Sequence, residues 1–291
     1  MKPRFADVRD KLRFVTWRSD DEPDLELFPD FMIIGPQRTG TTWLHENLIE
    51  HPQVLMLVEK ELYYFNNLRT DEFHPAHLPP VQQELQWYLD FFRPTEDFVA
   101  QRERECQERY GEPYDIAVRG EGTATYAVAL SRDPQILTEL LTLNPRIKIM
   151  TMVRNPADRA WSHAKKDLAK LRNRNVQDVP DSEWLEFLQR DYQVACGHYT
   201  HWTRRWLERL PEEQLFVGRF DEIVSSPAKL LSRAYEFLGI RAAPAYVGKV
   251  AKQRVNPTET AEMPPAVQEL LDSQYGEEIE RLRAMGMLEG P

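Results

Sequence analysis

Short apolar runs that do not alternate with polar residues recur along this chain, separated by segments of helical periodicity. Such runs are typical of β-strands buried on both faces, because a strand with one solvated face alternates. The pattern predicts strands at 31–34, 54–57, 116–118, 147–153 and 215–217. It predicts helices at 41–50, 81–92, 134–143, 156–170, 182–190, 199–210, 227–238 and 265–285. Prolines at several of the predicted helix starts support the assignment.

The regular alternation of strand and helix predicts an α/β fold with a mainly parallel central sheet flanked by helices. A chain of 291 residues with 42% hydrophobic residues is long enough to bury a sizeable core. Because no stretch has the composition of a linker, residues 30–291 are predicted to form a single domain, preceded by an N-terminal extension at 1–29. Two polar stretches, 66–80 and 171–181, are predicted to be lids or plain surface loops.

Composition and charge exclude several classes of protein. No apolar run reaches the roughly 18 residues of a membrane span, and the N-terminus lacks a signal-peptide core, so a cytoplasmic location is expected. Cys106 and Cys196 form no metal-ligand pattern and are expected to be free thiols, with a single disulfide as the alternative. The net charge of −10 argues against nucleic acid as a partner but leaves room for a locally basic pocket.

The first candidate site is the loop between the strand at 31–34 and the helix at 41–50. Gly35 and Gly40 have the spacing of a phosphate-binding loop, and glycines let the backbone approach a ligand closely. Unpaired N–H groups and the helix dipole favour a phosphate at the helix start. The candidate phosphate ligands are Gln37, Arg38, Thr39, Gly40, Thr41, Thr42 and Trp43. The alternative is a strand-to-helix turn that binds nothing.

This loop differs from the phosphate-binding loop of ordinary nucleoside triphosphatases. Thr41 stands where a lysine normally follows the second glycine, and the loop's cation is Arg38 instead. The loop is therefore suited to a terminal phosphate, while the lysine that usually contacts a transferred phosphoryl group is missing. This difference argues against ordinary ATP or GTP chemistry.

A second candidate anion site follows the strand at 147–153. Arg154 lies where that strand ends, which is where open α/β sheets bind ligands, and Ser162 follows about two helical turns later. Asn155 and Pro156 suit the start of the intervening helix. The alternative is that Arg154 only pairs with Asp158. Because no magnesium-binding aspartate ends this strand, metal-assisted phosphoryl transfer loses support.

Together the two motifs resemble the sulfotransferases that use 3′-phosphoadenosine 5′-phosphosulfate (PAPS). Residues 35–44 are similar to the family's 5′-phosphosulfate loop, and residues 153–162 are similar to its 3′-phosphate motif, with Arg154 and Ser162 at the matching positions. The likeness covers roughly residues 30–285. The resemblance implies in-line attack on sulfur by a hydroxyl or amine, release of 3′,5′-adenosine bisphosphate, and no metal.

The resemblance also suggests the catalytic base. Residues 58–65 resemble the acidic and aromatic segment of heparan sulfate N- and 3-O-sulfotransferases, and Glu61 matches their catalytic glutamate. Lys60 could stabilise the ionised carboxylate or contact the sulfuryl oxygens. Glu59 is the neighbouring rival, and an exposed helix-start acid is the alternative role for Glu61. The histidine base of cytosolic small-molecule sulfotransferases has no counterpart in residues 119–126.

Two residues differ from the family pattern. Arg38 stands where many relatives have lysine; it cannot pass a proton to the leaving group, but it can stabilise that group's charge, and it is assigned this catalytic role. Gly122 stands where glycosaminoglycan sulfotransferases often have lysine. The substrate contacts that this lysine makes in those enzymes are therefore not assigned to this chain.

The remaining predicted contacts concern the outer parts of the site. Lys252 and Arg254 are predicted to cap the 3′-phosphate, with a solvated linker as the alternative for their segment. Acceptor contacts are predicted for Lys60, Glu121, Tyr126 and Tyr199. Loops at 66–80, 100–114 and 171–181 are expected to select the acceptor.

The predicted acceptor is a small molecule or metabolite rather than a polysaccharide, because the chain is acidic and shows no membrane anchor. Two rival functions stay open: a nucleotide kinase or NTPase with an altered loop, and a non-catalytic relative that binds the nucleotide without transferring anything. The choice between O- and N-sulfation and the oligomeric state are also left open at this point.

Overall fold

A five-stranded, entirely parallel sheet forms the centre of the computed structural model, which describes residues 1–18, 22–56, 61–68, 83–247, 251 and 261–289. The strands are β1 Phe31–Ile33, β2 Val54–Met56, β3 Val118–Gly122, β4 Lys148–Val153 and β5 Leu215–Arg219. Their order is β2-β3-β1-β4-β5. Ile33 lies opposite Gly122 on one side and Met150 on the other, so β1, β3 and β4 end at the same edge. The predicted single-domain α/β fold is confirmed.

Helices flank the sheet in the described residues. In chain order they are α1 Phe5–Val8, α2 Thr41–Ile49, α3 Tyr64–Asn67, α4 Leu85–Asp90, α5 Glu96–Tyr110, α6 Tyr126–Arg132, α7 Pro134–Leu143, α8 Pro156–Ala164, α9 Asp181–Leu188, α10 Asp191–Gly197, α11 Tyr199–Leu207, α12 Glu222–Ser225, α13 Pro227–Leu238 and α14 Pro265–Ala284. Capping interactions of nearby residues set the first residue of several helices. Asn155 accepts hydrogen bonds from the N–H groups of Ala157 and Asp158, and Pro156 occupies the first turn of α8.

The sheet is covered by apolar layers on both faces. Along β1, Phe31 and Ile33 pack into one hydrophobic cluster, with α2 and α13, whereas Met32 and the following Ile34 pack into another, with α6, α7 and α11. Successive side chains of a strand point to opposite faces, so an unbroken apolar run supplies both layers. The prediction of strands buried on both faces is confirmed for β1 and β4, whereas in the outer strand β5 every second residue is only half-buried.

The N-terminal segment packs into this core. Phe5, Val8 and Val15 belong to the same cluster as Met32 and are almost fully buried. The carboxylate of Glu139 on α7, itself buried, accepts hydrogen bonds from the main-chain N–H groups of residues 13–15 at 2.8–3.0 Å. The segment predicted as an extension at 1–29 thus supplies part of the domain's hydrophobic interior.

The position of the third strand was predicted wrongly. It was placed at 116–118, whereas β3 runs over Val118–Gly122, a stretch with almost no apolar side chains. Gly120 is required because a Cβ there would lie 2.1 Å from the ring of Phe31 on the neighbouring strand. Buried hydrogen bonds rather than hydrophobicity accommodate Glu121. Neither the close approach of two backbones nor hydrogen bonds between distant residues changes the hydrophobic periodicity of a sequence. That periodicity therefore could not locate this strand.

Several helical predictions also need correction. Residues 100–114, predicted to be a loop that selects the acceptor, lie mostly in α5, which begins after the capping hydroxyl of Thr95 and ends at Gly111 in a left-handed conformation. Helices α6 and α10 were not predicted. The helix predicted at 156–170 continues from α8 as a π-helix over Lys165–Ala169. A highly charged helix such as α5 has too narrow an apolar stripe to reveal its period.

The predictions at the other polar segments have mixed outcomes. Residues 69–82 and the start of the helix predicted at 81–92 lie outside the described residues, while 85–90 form α4.

Cys106 and Cys196 are both free and buried, as expected. No helix in the described part of the chain is long and apolar enough to cross a membrane.

Candidate functional site

The glycine-bounded loop between β1 and α2 depends on two conformations that suit glycine. Gly35 has φ of 102°, and a Cβ there would lie 1.9 Å from the carbonyl oxygen of Ala124, just beyond β3. Gly40 has φ of 97° and directly precedes α2. Side chains at either position would be strained. The two glycines that identified the loop are therefore the residues that let it fold beside the end of β3.

Main-chain donors converge at the start of α2. Thr41, Thr42 and Trp43 occupy its first three positions, where N–H groups have no partner within the helix. The side chain of Trp43 is only 2% exposed, packs in the core and donates its indole N–H to the carbonyl of Ala251 at 3.3 Å. Thr39 is buried, and its hydroxyl donates to the carbonyl of Pro36 at 2.7 Å. The backbone of Trp43, rather than its buried side chain, thus lies at the predicted anion site, and Thr39 stabilises the loop.

The structure brings the two predicted anion sites together through Arg38. Its Nε donates to the hydroxyl of Ser162 on α8 at 3.0 Å, and its carbonyl accepts a hydrogen bond from Arg154 at 3.2 Å. Arg38 has φ of 69°, a left-handed conformation that non-glycine residues seldom adopt and that clusters at functional sites. Three residues predicted from separate motifs therefore form one contiguous polar group.

Two partly buried guanidinium groups give this cluster a positive character. Burial, and next the charge of Arg154, lower the pKa of Arg38; burial is also the main cause that lowers the pKa of Arg154. Arg154 stacks on the ring of Phe220 at 4.4 Å, and in the described residues it forms no salt bridge with Asp158 or any other carboxylate. The charges of Asp167 near Arg38 and of Asp158 near Arg154 oppose these shifts and offset part of the repulsion. A bound anion would offset more of it. The residues present therefore fit a phosphorylated ligand.

Gln37 is held from outside the loop. Its side-chain oxygen accepts a hydrogen bond from the hydroxyl of Tyr192 on α10. Neither this contact nor the platform that Phe220 gives Arg154 was predicted. Tyr192 and Phe220 lie far along the chain from the residues they support, in segments without a recognisable motif. Only the tertiary fold could identify them.

Glu61 lies at the same edge of the sheet as the loop. Its N–H donates to the carbonyl of Gly122 at the end of β3, at 3.0 Å, and β3 pairs with β1. Glu61 and Tyr63 both have positive φ, 74° and 54°, and the hydroxyl of Tyr63 donates to the Glu61 carboxylate. The strained backbone and the tyrosine donor hold a half-buried carboxylate at this edge of the sheet.

Glu121, by contrast, is enclosed. It is 3% exposed and accepts hydrogen bonds from the hydroxyls of Tyr88, Thr123 and Tyr126. Burial raises the pKa of Glu121 to about 6, because desolvation outweighs the three hydrogen bonds that favour its ionised form. Tyr126 is fully buried, and Tyr199 is 1% exposed. The structure therefore places these three predicted acceptor contacts in the interior.

Other predicted site residues lie outside the part of the chain that the structure describes. They are Glu59, Lys60, Lys252 and Arg254. Among the described residues, no group of three or more histidine, cysteine or acidic side chains is arranged to hold a metal ion.

Comparison with known proteins identifies the family of the chain. The model of the sulfotransferase domain family matches residues 28–263. The chain is similar to the bifunctional heparan sulfate N-deacetylase/N-sulfotransferase 2 of Homo sapiens, with 28% identity over 237 residues. It is also similar to bifunctional heparan sulfate N-deacetylase/N-sulfotransferase 4 of Mus musculus, with 26% identity over 233 residues. Each match covers 75% of this chain, which spans only 23% of the length of those relatives.

A solved structure supports the fold. The crystal structure of a sulfotransferase from Alicyclobacillus acidocaldarius superposes with a TM-score of 0.59. The match covers 88% of this chain and 95% of the other, at 20% sequence identity. At that identity the likeness concerns the fold.

Proposed function

We propose that this chain, which belongs to the sulfotransferase family, transfers the sulfuryl group of PAPS to a hydroxyl or amine of a small-molecule or glycan acceptor. The product nucleotide is 3′,5′-adenosine bisphosphate. The observation that carries the proposal is the cluster of Arg38, Arg154 and Ser162 beside the start of α2, at the same sheet edge as Glu61. PAPS has phosphate groups at two positions, and the cluster offers donors from two separate motifs.

The donor supplies an activated sulfuryl group attached to its 5′-phosphate. The start of α2 and the Arg38 guanidinium bind that end, because unpaired N–H groups and a fixed cation stabilise the charge that grows on a departing phosphate. Arg154 and Ser162 bind the 3′-phosphate. The stacking of Arg154 on Phe220 fixes its guanidinium plane, which favours paired hydrogen bonds to phosphate oxygens.

Glu61 is the general base. As the acceptor oxygen or nitrogen forms its bond to sulfur, Glu61 takes the proton that the acceptor loses, and the electron pair of the breaking bond leaves with the 5′-phosphate. Tyr63 orients the carboxylate by donating to it. Because Arg38 stays protonated, its contribution to the leaving group is electrostatic rather than proton transfer.

Calorimetric titration with 3′,5′-adenosine bisphosphate, without metal, tests the nucleotide part of the proposal. We expect micromolar binding that requires the 3′-phosphate, so 5′-AMP should bind much more weakly. Stronger binding and turnover of ATP with magnesium would reject the proposal in favour of a kinase or NTPase.

Transfer is tested separately by incubating the protein with PAPS and a panel of amines, phenols, alcohols and glycans, and measuring the bisphosphate released. Release that depends on one acceptor class is the expected result. Tight bisphosphate binding with no acceptor-dependent release across the panel would instead favour a nucleotide-binding relative without catalytic activity.

A further inference from the structure

Arg159 on α8 is a buried cation that has no part in the proposed chemistry. Its side chain is 0% exposed, so no ligand atom can touch it. One guanidinium nitrogen donates to the carbonyl of Gln193 on α10 at 3.1 Å, and another faces Nδ1 of His163 at 3.4 Å. Its Nε has no hydrogen-bond partner in the described residues. Because arginine keeps its proton in proteins, this group is a permanent positive charge in the interior.

The groups around this charge are neutral. Burial, and next the charge of Arg159, lower the pKa of His163, so its ring is uncharged at neutral pH. Asp167 lies 3.6 Å from Nε2 of His163, the ring nitrogen that does not face Arg159. Burial raises the pKa of the other titratable neighbours, which keep their protons; they are Tyr192, Cys196, Tyr199 and Tyr275. Arg159 forms no salt bridge within the described residues, and an unpaired buried charge is unfavourable for stability.

This charge lies next to the proposed donor site. Ser162 follows Arg159 by three residues on α8, and residues at this spacing are neighbours on a helix, with Cβ atoms about 5–6 Å apart. On the other side, Gln193 adjoins Tyr192, whose hydroxyl holds Gln37 of the phosphate loop. The guanidinium is therefore enclosed between the helix that carries Ser162 and the helix that supports the loop.

The charge of Arg159 acts on residues of that site. Burial is the first cause that lowers the pKa of Arg154, and the charge of Arg159 lowers it further. After burial, the charges of Arg159 and Arg38 both lower the pKa of His163, so the fields of the two guanidinium groups overlap there. Water and salt screen interactions between buried charges only weakly, and such interactions therefore extend beyond contact distance.

We infer that Arg159 is a third cation of the donor site, which attracts the phosphate groups of the nucleotide through its field without contacting them. This inference rests on the proposed function. The unfavourable burial of an unpaired charge is offset when the negative phosphate groups bind nearby. Arg38 and Arg154 hold the ligand by hydrogen bonds, whereas Arg159 adds an attraction that grows with the negative charge of the ligand.

Calorimetric titration of the wild type and of Arg159→Met with 3′,5′-adenosine bisphosphate, 5′-AMP and adenosine tests this inference. Methionine is apolar, and the Gln193 carbonyl would still accept a hydrogen bond from the hydroxyl of Tyr275 at 2.9 Å. We expect affinity to fall about tenfold for the bisphosphate and about threefold for 5′-AMP, with adenosine unchanged, because the nucleotides carry about four and about two negative charges. The thermal midpoint of the ligand-free protein should stay the same or rise, since an unpaired buried charge is removed.

Arg102→Met is the matched control. Arg102 is also buried, but it pairs with Glu105 at 2.7 Å and donates to carbonyls at the end of α2. Its replacement should lower the thermal midpoint and leave nucleotide affinity unchanged. An unchanged bisphosphate affinity in Arg159→Met, or equal losses for all three ligands, would overturn the inference. Wild-type protein that binds none of the ligands would refute the proposed function and the inference with it, whereas wild-type binding with an unaffected variant refutes the inference alone.

Should Arg159→Met fail to fold, Arg159→Lys decides. A buried lysine can lose its proton, whereas arginine keeps it. Between about pH 7 and about pH 10, the bisphosphate affinity of Arg159→Lys should therefore fall about tenfold more than that of the wild type. The protonation of the surrounding tyrosines and of Cys196 is common to both proteins and cancels in this comparison. Parallel pH profiles of the two proteins would overturn the inference.

Discussion

The arginine side and the carboxylate side of the proposed site bury charge in opposite ways. Arg38 and Arg154 lie close together, and Arg154 rests on an aromatic ring without a carboxylate partner in the described residues. Glu61 and Glu121 accept hydrogen bonds from tyrosine hydroxyls, which are neutral donors. A bound anion would therefore add stability beside the arginines, whereas the two carboxylates already have donors within the protein.

The two carboxylates also differ from each other. Glu121 has three hydroxyl donors and is nearly inaccessible, while Glu61 is half-buried and held by strained backbone. A group that must exchange a proton with a substrate has to keep one side open. The comparison favours Glu61 for chemistry and Glu121 for holding β3, α4 and α6 together.

The largest expected effect is on turnover in Glu61→Gln. Replacing the carboxylate with an amide removes the proton acceptor, so kcat should fall about 10²- to 10⁴-fold while the affinity for 3′,5′-adenosine bisphosphate stays the same. Glu84→Gln, at an exposed carboxylate that pairs with Arg18, is the matched control and should retain activity. Near-full activity in Glu61→Gln would end its assignment as the base.

A smaller but selective effect is expected for Arg154→Ala. Loss of a charged hydrogen-bond donor should weaken calorimetric binding of 3′,5′-adenosine bisphosphate about tenfold to a hundredfold and change binding of 5′-AMP little, because 5′-AMP lacks the 3′-phosphate. Arg204→Ala, at a side chain that is 83% exposed on α11, serves as the control. An equal loss for both nucleotides would contradict the assignment of Arg154 to the 3′-phosphate.

On the carboxylate side, Glu121→Gln should lower the free energy of unfolding by about 1–3 kcal/mol, since the amide cannot accept all three hydroxyl bonds. Burial raises the pKa of the wild-type Glu121 carboxyl from 4.5 to about 6 in the folded state. The folded protein therefore binds the proton more tightly, and this carboxyl's contribution to stability is lost as pH rises through that interval.

Urea unfolding of the wild type and of Glu121→Gln at two pH values checks this sign. The advantage of the wild type should be about 1 kcal/mol greater near pH 5 than near pH 7. An advantage that grows towards pH 7 would show that the hydrogen bonds, rather than burial, control this carboxyl.

The smallest expected change is in Ser162→Ala. Removing one neutral hydroxyl should weaken 3′,5′-adenosine bisphosphate binding about threefold to tenfold, because a hydrogen bond of this kind contributes about 0.5–1.5 kcal/mol. Ser131→Ala is a control on a buried serine whose hydroxyl donates to the carbonyl of Val128 at 2.8 Å. If both serine variants bind the bisphosphate as the wild type does, Ser162 does not contact the nucleotide.

Prediction from sequence succeeded where the physical cause is local. Gly35 and Gly40 identify a turn that needs their conformations, and the apolar runs identify strands because burial on both faces needs an unbroken hydrophobic stretch. Asn155 and Pro156 identified the start of α8 for the same reason. Prediction from sequence failed at β3, where close packing of a glycine and a buried glutamate take the place of apolar side chains. It also failed at α5, because so many of its residues are charged that the helical repeat of apolar positions is not visible.

The fold class, the glycine-bounded loop and the two candidate arginines could be predicted from the chain alone, since each depends on residues that are close together in sequence. Only the folded structure shows which of these residues come into contact. It joined Arg38 to Ser162, placed Phe220 under Arg154, turned Tyr63 towards Glu61 and enclosed Glu121. These contacts depend on which strand ends meet at one sheet edge and on how much water the packing removes, and neither quantity is encoded in the spacing of a motif.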